Sequence, residues 1–330
     1  MTTLDDIIGR SEHKSAANRI TSVPVFWVIL AAIAACVALT LLTDTFATQR
    51  NVFNVMRNFT FVAIIAIGMT VVIASGGIDL SVGSTVVLTA MVLSVLMTAG
   101  WSFLAAAFVA LLAALAVGAF NGVLIAYAGM PPFVVTLGTL SGARSLAMVL
   151  SNNQMIYEFG PDQSLLLWLG GGSSLGIPHP TYVLAALMVV MALILRWTRW
   201  GQYVFAIGGN EQAAILNGIS VKFQKVTIYM FAAFTAGLTG ILMTGWLGSV
   251  TTNLGQSMEL AVIAAAVIGG ANLAGGEGTA VGAVVGAFLI EVIRNSLILL
   301  GISTFWQGMF IGTFIIVAVA FDRFRNRRNA

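Results

Sequence analysis

Charged residues are scarce in this sequence. Only 8% of the 330 residues are Asp, Glu, Lys or Arg, whereas 59% are hydrophobic. An average soluble domain is about 25% charged. A soluble chain of this length could not cover its surface with so few charges, so most of its apolar surface is expected to face lipid. The sequence therefore predicts a membrane protein with several spans, whose basic residues report orientation rather than nucleic-acid binding.

Cysteine, histidine and lysine are also rare, and their scarcity excludes several kinds of site. The single cysteine, Cys36, cannot form an intrachain disulfide. The two histidines, His13 and His179, lie in separate polar segments without a His or Cys neighbour, so no metal site is predicted. No lysine follows a glycine, which excludes the phosphate-binding loop G-x-x-x-x-G-K-[ST]. The residues thus indicate no enzyme, and intramembrane hydrolysis by an unpaired acid is the alternative left open.

Long apolar runs fill the chain between residues 23 and 321. A helix needs about 20 apolar residues to cross a bilayer, and these runs are long and unbroken rather than alternating. The fold class predicted is an all-α polytopic membrane protein with about ten transmembrane helices. They are predicted at 23–42, 56–75, 84–99, 103–128, 133–150, 181–197, 226–248, 258–270, 279–300 and 305–321. The runs 84–99 and 258–270 are short, so either could be a half-helix that meets a re-entrant turn.

Basic residues predict the orientation of these helices. Most Lys and Arg residues fall in the tail 1–22, in or beside the loop 198–225, and in the tail 322–330. The positive-inside rule therefore places both termini and this loop in the cytoplasm. The segment 151–180 contains no Lys or Arg and is predicted to be a periplasmic loop. One transmembrane domain, 23–321, is expected between the two tails.

Two polar, Gly-rich stretches interrupt the apolar runs. They are SGGIDLSVGS (75–84) and VIGGANLAGGEGTAVGA (267–283). Each contains Gly-Gly followed by one apolar residue, then Asp or Asn, and then Leu. Paired interruptions predict an internal two-fold pseudo-repeat with broken helices along a transport path, while close helix packing is the structural alternative. The predicted pathway residues are Ser75, Gly76, Gly77, Asp79, Ser81, Gly83, Asn121, Gly269, Gly270, Asn272, Gly275 and Gly276.

Asp79 is the acid of the first stretch. A charge at the bilayer centre costs about 2.5–3.5 kcal/mol on insertion scales, so it needs a partner or water. Three roles are open: shaping the following helix, which we favour, contact with cargo, or binding of a proton or sodium ion. Asn121 is expected either to line the path or to form an interhelical hydrogen bond. Arg144 is a candidate partner for Asp79, and Glu291 with Arg294 forms an i,i+3 pair.

The loop 198–225 is long for a passive connection between spans. Within it, NEQAAILNGI (210–219) predicts a short helix that Asn210 caps, that has Glu211 in its first turn, and that Gly218 ends. A short cytoplasmic helix between two spans is typical of a docking element, and an ordinary solvated loop is the alternative.

Three blocks of the sequence carry a specific resemblance: GMTVVIASGGIDLSVGS (68–84), GQYVFAIGGNEQAAILNGISVKFQK (201–225) and ELAVIAAAVIGGANLAGGEGTAVGAVVGA (259–287). From about 46 to 321, the chain is similar to the ribose-type permeases of monosaccharide ATP-binding-cassette (ABC) importers. The resemblance implies a bacterial inner-membrane permease that moves a monosaccharide or small polyol inward by alternating access.

The resemblance also implies partners and no cofactor on this chain. A cytoplasmic ATP-binding subunit would hold ATP and Mg, a periplasmic sugar-binding protein would deliver cargo, and a second permease copy would complete a dimer, preferably a homodimer. Together with the helix pattern, the resemblance implies which residues contact the ATP-binding subunit. They are Gly201, Ala206, Gly208, Asn210, Glu211, Ala213, Ala214, Gly218 and Ile219. The alternative is an ion-coupled secondary transporter that uses Asp79, or a purely structural subunit.

Overall fold

The computed structural model describes residues 24–303 together with 306, 308, 309, 312 and 313. In this part of the chain, twelve α-helices account for nearly all regular structure. They are α1 (Pro24–Leu42), α2 (Gln49–Ala74), α3 (Val82–Thr98), α4 (Phe103–Ala126), α5 (Pro132–Leu150), α6 (Gln163–Gly171), α7 (His179–Trp197), α8 (Arg199–Gly209), α9 (Glu211–Leu216), α10 (Val221–Leu247), α11 (Met258–Ile268) and α12 (Ala280–Leu299). Two short strands, β1 (Ser173–Ser174) and β2 (Ile177–Pro178), pair antiparallel between α6 and α7.

Seven of the helices in the described residues are long and apolar enough to cross a membrane, namely α1, α2, α4, α5, α7, α10 and α12. Helices α3 and α11 are apolar but shorter, with 17 and 11 residues. The prediction of an all-α polytopic membrane protein is therefore confirmed, and the two runs judged short from sequence are the two short helices. The predicted span 305–321 lies almost entirely outside the described residues.

Several predicted boundaries are wrong because hydropathy does not register polar helix turns. Helix α2 begins at Gln49 rather than 56, where the Thr48 hydroxyl accepts a hydrogen bond from the Asn51 amide. Helix α10 begins at Val221 rather than 226. The segment 151–180, predicted as a loop, contains α6 and the β-hairpin. The loop 198–225 contains two helices, α8 and α9, where one was predicted.

Helices α2 and α10 form the centre of the bundle. Helix α10 packs against α2, α3, α4 and α6, and α2 also packs against α7, α11 and α12. Every residue of α2 from Thr60 to Ala74 is buried. Glycines allow α4 to approach α10 closely. If Gly118 or Gly122 of α4 had a Cβ atom, it would lie 2.5–2.7 Å from backbone atoms of α10. The outer helices α1 and α5 keep most of their apolar surface exposed, as lipid-facing helices do.

Contacts between connections divide the bundle into two ends. At one end, Ile156 pairs with Val250, and the Asp162 carboxylate accepts a hydrogen bond from the Phe103 amide. The other end holds α8 and α9, the end of α2 and the turn after α11. The loop 198–225 and the segment 151–180 thus lie at opposite ends of the bundle. Which end faces the cytoplasm stays a prediction from the basic residues.

Candidate translocation site and coupling surface

The first Gly-rich stretch ends α2 with a left-handed turn. The Gly76 amide donates to the Ile73 carbonyl over 2.8 Å, and the Gly77 amide donates to the Val72 carbonyl over 3.0 Å. Gly76 has φ +82°, a conformation that glycine adopts without steric cost. This arrangement satisfies the last carbonyls of α2 and turns the chain before α3 begins at Val82.

Asp79 shapes the entry into α3. Its Oδ1 accepts hydrogen bonds from the Ser81 amide over 2.8 Å and from the Ser81 hydroxyl over 2.6 Å. This is an Asx turn, in which the carboxylate holds the residue that precedes the first turn of α3. Asp79 is only 1% exposed. The geometry favours the helix-shaping role, while contact with cargo stays a prediction.

A chain of side chains links Asp79 to two further helices. The Asn121 amide of α4 donates to the Ser81 hydroxyl over 2.9 Å. The Thr139 hydroxyl of α5 donates to the Asn121 carbonyl oxygen over 2.6 Å. Asn121 has no exposed surface, so its polar group depends on these interhelical hydrogen bonds. Sequence reasoning missed Thr139, although it shares a face of α5 with buried Val135 at i,i+4.

The second Gly-rich stretch repeats this local structure. At the end of α11, the Gly270 amide donates to the Val267 carbonyl, and the Ala271 amide donates to the Ala266 carbonyl, both over 2.9 Å. Gly270 has φ +95°. An Asx turn follows, because the Asn272 side-chain oxygen accepts a hydrogen bond from the Ala274 amide over 2.9 Å.

The register of this repeat differs by one residue from the sequence pairing. The left-handed residue is Gly76 in the first stretch and Gly270 in the second, whereas the sequence pattern pairs Gly76 with Gly269. The turn requires glycine at the left-handed position and not at its neighbours, so the backbone decides the register. At these turns, the two stretches therefore match better when they are aligned by backbone conformation than when they are aligned by residue type.

Helices α3 and α11 begin face to face inside the bundle. A Cβ at Gly83 would overlap the Gly255 carbonyl oxygen and would lie 2.7 Å from Oε2 of Glu259. At 1.5 Å per residue, Gly83 lies about 22 Å along α3 from its outer end at Thr98. The connection between α10 and α11 therefore re-enters the bundle to this depth. The 11-residue length of α11 and this contact favour the half-helix beside a re-entrant turn for 258–270, which stays a prediction.

Arg144 of α5 holds this re-entrant connection. Its guanidinium donates to the Thr252 carbonyl over 2.8 Å and to the Leu254 carbonyl over 3.4 Å, and it interacts electrostatically with Glu259. The candidate pairing of Arg144 with Asp79 is therefore wrong, since the carbonyls of the connection occupy the guanidinium.

Exposed polar residues flank Arg144 on α5, which is long and apolar enough to cross a membrane, and in the connection that Arg144 binds. We call these residues the polar face, and they are Ser141, Arg144 and Ser145 of α5 together with Asn253, Gln256 and Ser257 of the connection. Polar groups of this kind are unstable against hydrocarbon, so the face requires water or protein to cover it. Sequence reasoning did not single out this face. The spacing of Ser141 and Ser145 at i,i+4 beside Arg144 is the signal that could have found it.

Capping residues define the two short helices α8 and α9. The Thr198 hydroxyl accepts a hydrogen bond from the Gly201 amide over 3.2 Å and caps α8. The Asn210 side chain accepts one from the Ala213 amide over 2.9 Å and caps α9, and Gly218 at φ +79° follows its end. The Asn210 cap and the Gly218 stop predicted from sequence are both observed.

Comparison with known proteins places the whole arrangement in a family. A family model described as branched-chain amino acid transport system / permease component matches residues 51–319. The chain belongs to this permease family. No solved structure matches the chain.

Three relatives illustrate which proteins this permease is similar to over most of its length. Ribose import permease protein RbsC of Escherichia coli (strain K12) is 36% identical over 282 residues, covering 85% of this chain and 88% of that protein. L-arabinose ABC transporter permease protein AraH of Azospirillum brasilense is 36% identical over 316 residues, covering 95% and 90%. D-allose transport system permease protein AlsC of Escherichia coli (strain K12) is 34% identical, covering 85% of each chain.

The predicted coupling residues of the permease divide between two faces of α8 and α9. Those turned toward the bundle are Gly201, Gly208, Ala214 and Ile219, and those turned toward solvent are Ala206, Asn210, Glu211, Ala213 and Gly218. Beside the solvent-facing group, Leu216 is 88% exposed and Ile215 is 50% exposed. Exposed apolar side chains at a polar end of the molecule mark an interaction surface. Sequence reasoning included this helix but did not single out these two residues.

Two remaining sequence expectations concern charged and ionisable groups. Glu291 and Arg294 of α12 form the expected i,i+3 pair, at 3.7 Å. His179, within the segment predicted to be a periplasmic loop, is the first residue of α7, and its ring contacts the Trp168 carbonyl and the Ser174 hydroxyl. No group of three or more His, Cys, Asp and Glu residues that could hold a metal occurs among the described residues.

Proposed function

We propose that this chain is the permease subunit of an ABC importer that moves a monosaccharide or related small polyol from the periplasm to the cytoplasm. The observation that carries the proposal is the polar face. Permeases named for ribose, arabinose and allose match the chain over most of its length, which supports a sugar as the cargo. The hydroxyl, amide and guanidinium groups of the polar face suit a neutral, polyhydroxylated molecule.

The translocation path runs along the polar face and is completed by a second permease copy, in our proposal a homodimer. Cover by a second copy would bring two polar faces together around water and remove both from lipid. The buried chain of hydrogen bonds from Asp79 through Ser81 and Asn121 to Thr139 fixes the start of α3. The Gly-rich turns permit α3 and α11 to change position between outward-open and inward-open states.

Helices α8 and α9 dock on a cytoplasmic ATP-binding subunit. Ile215 and Leu216 supply the apolar anchor of this contact, and the exposed polar residues around them supply its rim. ATP and Mg belong to that subunit and not to this chain. A periplasmic sugar-binding protein delivers cargo at the opposite end, near 151–180. Both termini of this inner-membrane protein lie in the cytoplasm.

Reconstituted transport tests the proposal directly. The chain is purified with a candidate ATP-binding subunit and a candidate sugar-binding protein, and it is incorporated into vesicles. Radiolabelled ribose, arabinose and allose are offered as cargo. We expect ATP-dependent uptake of at least one of these sugars, and none without the ATP-binding subunit. Uptake by the permease alone, driven by a sodium or proton gradient, would instead establish the ion-coupled alternative.

A further inference from the structure

The two Gly-rich turns touch each other at a single backbone hydrogen bond. The Gly276 amide, in the turn after α11, donates to the Ala74 carbonyl at the end of α2 over 2.8 Å. This bond joins segments that lie about two hundred residues apart in the sequence. It is therefore a direct link between the two broken-helix elements.

Gly208 of α8 lies against this bond. A Cβ at Gly208 would overlap the Ala74 carbonyl oxygen and would lie 2.6 Å from the Gly276 nitrogen. From the other side, a Cβ at Gly275 would lie 2.5–2.9 Å from the Gly208 backbone. The last turn of α8 is thus in backbone contact with both members of the bond, with no side chain between them.

The neighbouring Gly209 lies beside the second turn, since a Cβ at Gly276 would lie 3.3 Å from its Cα, but its own side-chain direction is open. A Cβ at Gly209 meets nothing within 4 Å, and Gly209 does not have a positive φ. An added methyl group is therefore obstructed at Gly208 and not at Gly209, which makes the two positions a matched pair for substitution.

Helix α8 is also tied to the exposed helix α9. Ile207, Ala214 and Val221 form a small buried cluster that joins α8, α9 and the start of α10. Lys225 of α10 forms an ion pair with Glu211 of α9 at 2.8 Å. A displacement of α9 is therefore carried into α8. At Gly208 it meets backbone atoms, which cannot move aside by changing rotamer as a side chain could.

We propose that Gly208 is the positioning residue through which movement of α8 and α9 reaches both Gly-rich turns at once. The inference rests on the proposed function, since it assumes that α9 is moved by an ATP-binding subunit. The end of α2 and the turn after α11 then move together, because Gly208 contacts both residues of the hydrogen bond between Ala74 and Gly276. Gly208 acts on the contact between protein segments and not on the transported molecule.

The first test compares Gly208→Ala with Gly209→Ala in the reconstituted complex. We expect the Gly208→Ala complex to assemble and hydrolyse ATP, while sugar uptake falls by roughly tenfold, the population change that a typical overpacking cost produces. The Gly209→Ala complex should transport like the unaltered one. Equal uptake by the two variants, with the unaltered complex active, overturns this inference alone. An inactive unaltered complex overturns the proposed function instead.

A second measurement decides the matter if Gly208→Ala does not assemble. Because Cys36 is the only cysteine, a Cys36→Ala background accepts pairs of spin labels. Labels are placed at exposed Gln202 of α8 and at exposed Ala274 of the second turn, and in a separate sample at Gln202 and Gln154. On adding ATP to the complex, we expect the distance from Gln202 to Gln154 to change and the distance from Gln202 to Ala274 to stay constant. A changed distance to Ala274, or an unchanged distance to Gln154, overturns the proposal.

Discussion

The side-chain amide of Asn121 donates a hydrogen bond over 2.9 Å to the hydroxyl of Ser81, the same hydroxyl that donates to Asp79. All three side chains are at most 1% exposed. The acid of the first Gly-rich stretch is therefore held by a neutral network that reaches into α4 and α5. A buried network of this kind fixes one arrangement of the segments that it joins, because each polar group depends on its neighbour.

Replacing Asp79 by asparagine distinguishes its possible roles. In an Asp79→Asn variant, the side-chain amide oxygen can still accept from the Ser81 amide and hydroxyl, so we expect expression and ATP-driven uptake to be retained. Asp79→Ala removes the acceptor and should destabilise the protein by about 1–3 kcal/mol. Uptake in vesicles and thermal unfolding of the purified complex measure both effects. Loss of uptake in Asp79→Asn at normal stability would show that the charge itself is needed, as for an ion or proton site.

Thr139 and Thr136 provide a matched pair on α5. Thr139 donates to Asn121, whereas the Thr136 hydroxyl donates only to the Pro132 carbonyl of its own helix. We expect Thr139→Val to lower stability by about 0.6 kcal/mol and by no more than about 1.7 kcal/mol, the average and the maximum for interhelical hydrogen bonds in a membrane protein, and Thr136→Val to have a smaller effect. Thermal unfolding in detergent compares the two. If Thr136→Val costs as much, the network contributes nothing specific.

Gly83 is required where α3 and α11 begin. Gly83→Ala places a methyl group against the Gly255 carbonyl and the Glu259 carboxylate, so we expect a destabilisation of about 1–3 kcal/mol, measured by thermal unfolding. Gly209→Ala, which adds the same methyl group in open space, is the control. A Gly83→Ala variant as stable as the control would mean that the re-entrant connection moves aside without cost.

Cysteine accessibility separates the polar face from lipid-facing surface. In a Cys36→Ala background, we expect Gln256→Cys to react with a membrane-impermeant maleimide, because the proposed path is filled with water. Leu112→Cys, on an exposed apolar position of α4, should remain unreactive in lipid. Excess transported sugar should slow labelling at 256. An unreactive Gln256→Cys, in a complex that transports, contradicts the proposed path.

Leu216 tests the contact with the ATP-binding subunit. Leu216→Asp places a charge at the most exposed apolar position of α9, and we expect it to prevent copurification of that subunit and to abolish ATP-driven uptake. Leu216→Met keeps an apolar side chain of similar volume and should retain both. Copurification of the ATP-binding subunit with Leu216→Asp at the normal ratio would exclude this residue from the docking surface.

Local sequence signals predicted much of this permease because they depend on neighbouring residues alone. Long apolar runs predicted the spans, and Asn210 and Gly218 predicted the bounds of α9. The pairing of the two Gly-rich stretches was predicted to within one residue. The remaining error arose because the backbone conformation, and not the order of residue types, decides which glycine is left-handed. The polar first turns of α2 and α10 were missed because hydropathy does not register them: the Thr48 side chain caps α2, and backbone hydrogen bonds alone begin α10.

The sequence by itself determined the membrane class, the positions of the chain breaks and the predicted orientation, because composition and short-range spacing carry that information. Only the tertiary structure decided which residues meet. It brought Thr139 to Asn121, turned Arg144 to the carbonyls of the re-entrant connection rather than to Asp79, and laid Gly208 against the bond between Ala74 and Gly276. Contacts between residues far apart in the chain follow from how the helices pack, and no local pattern encodes that packing.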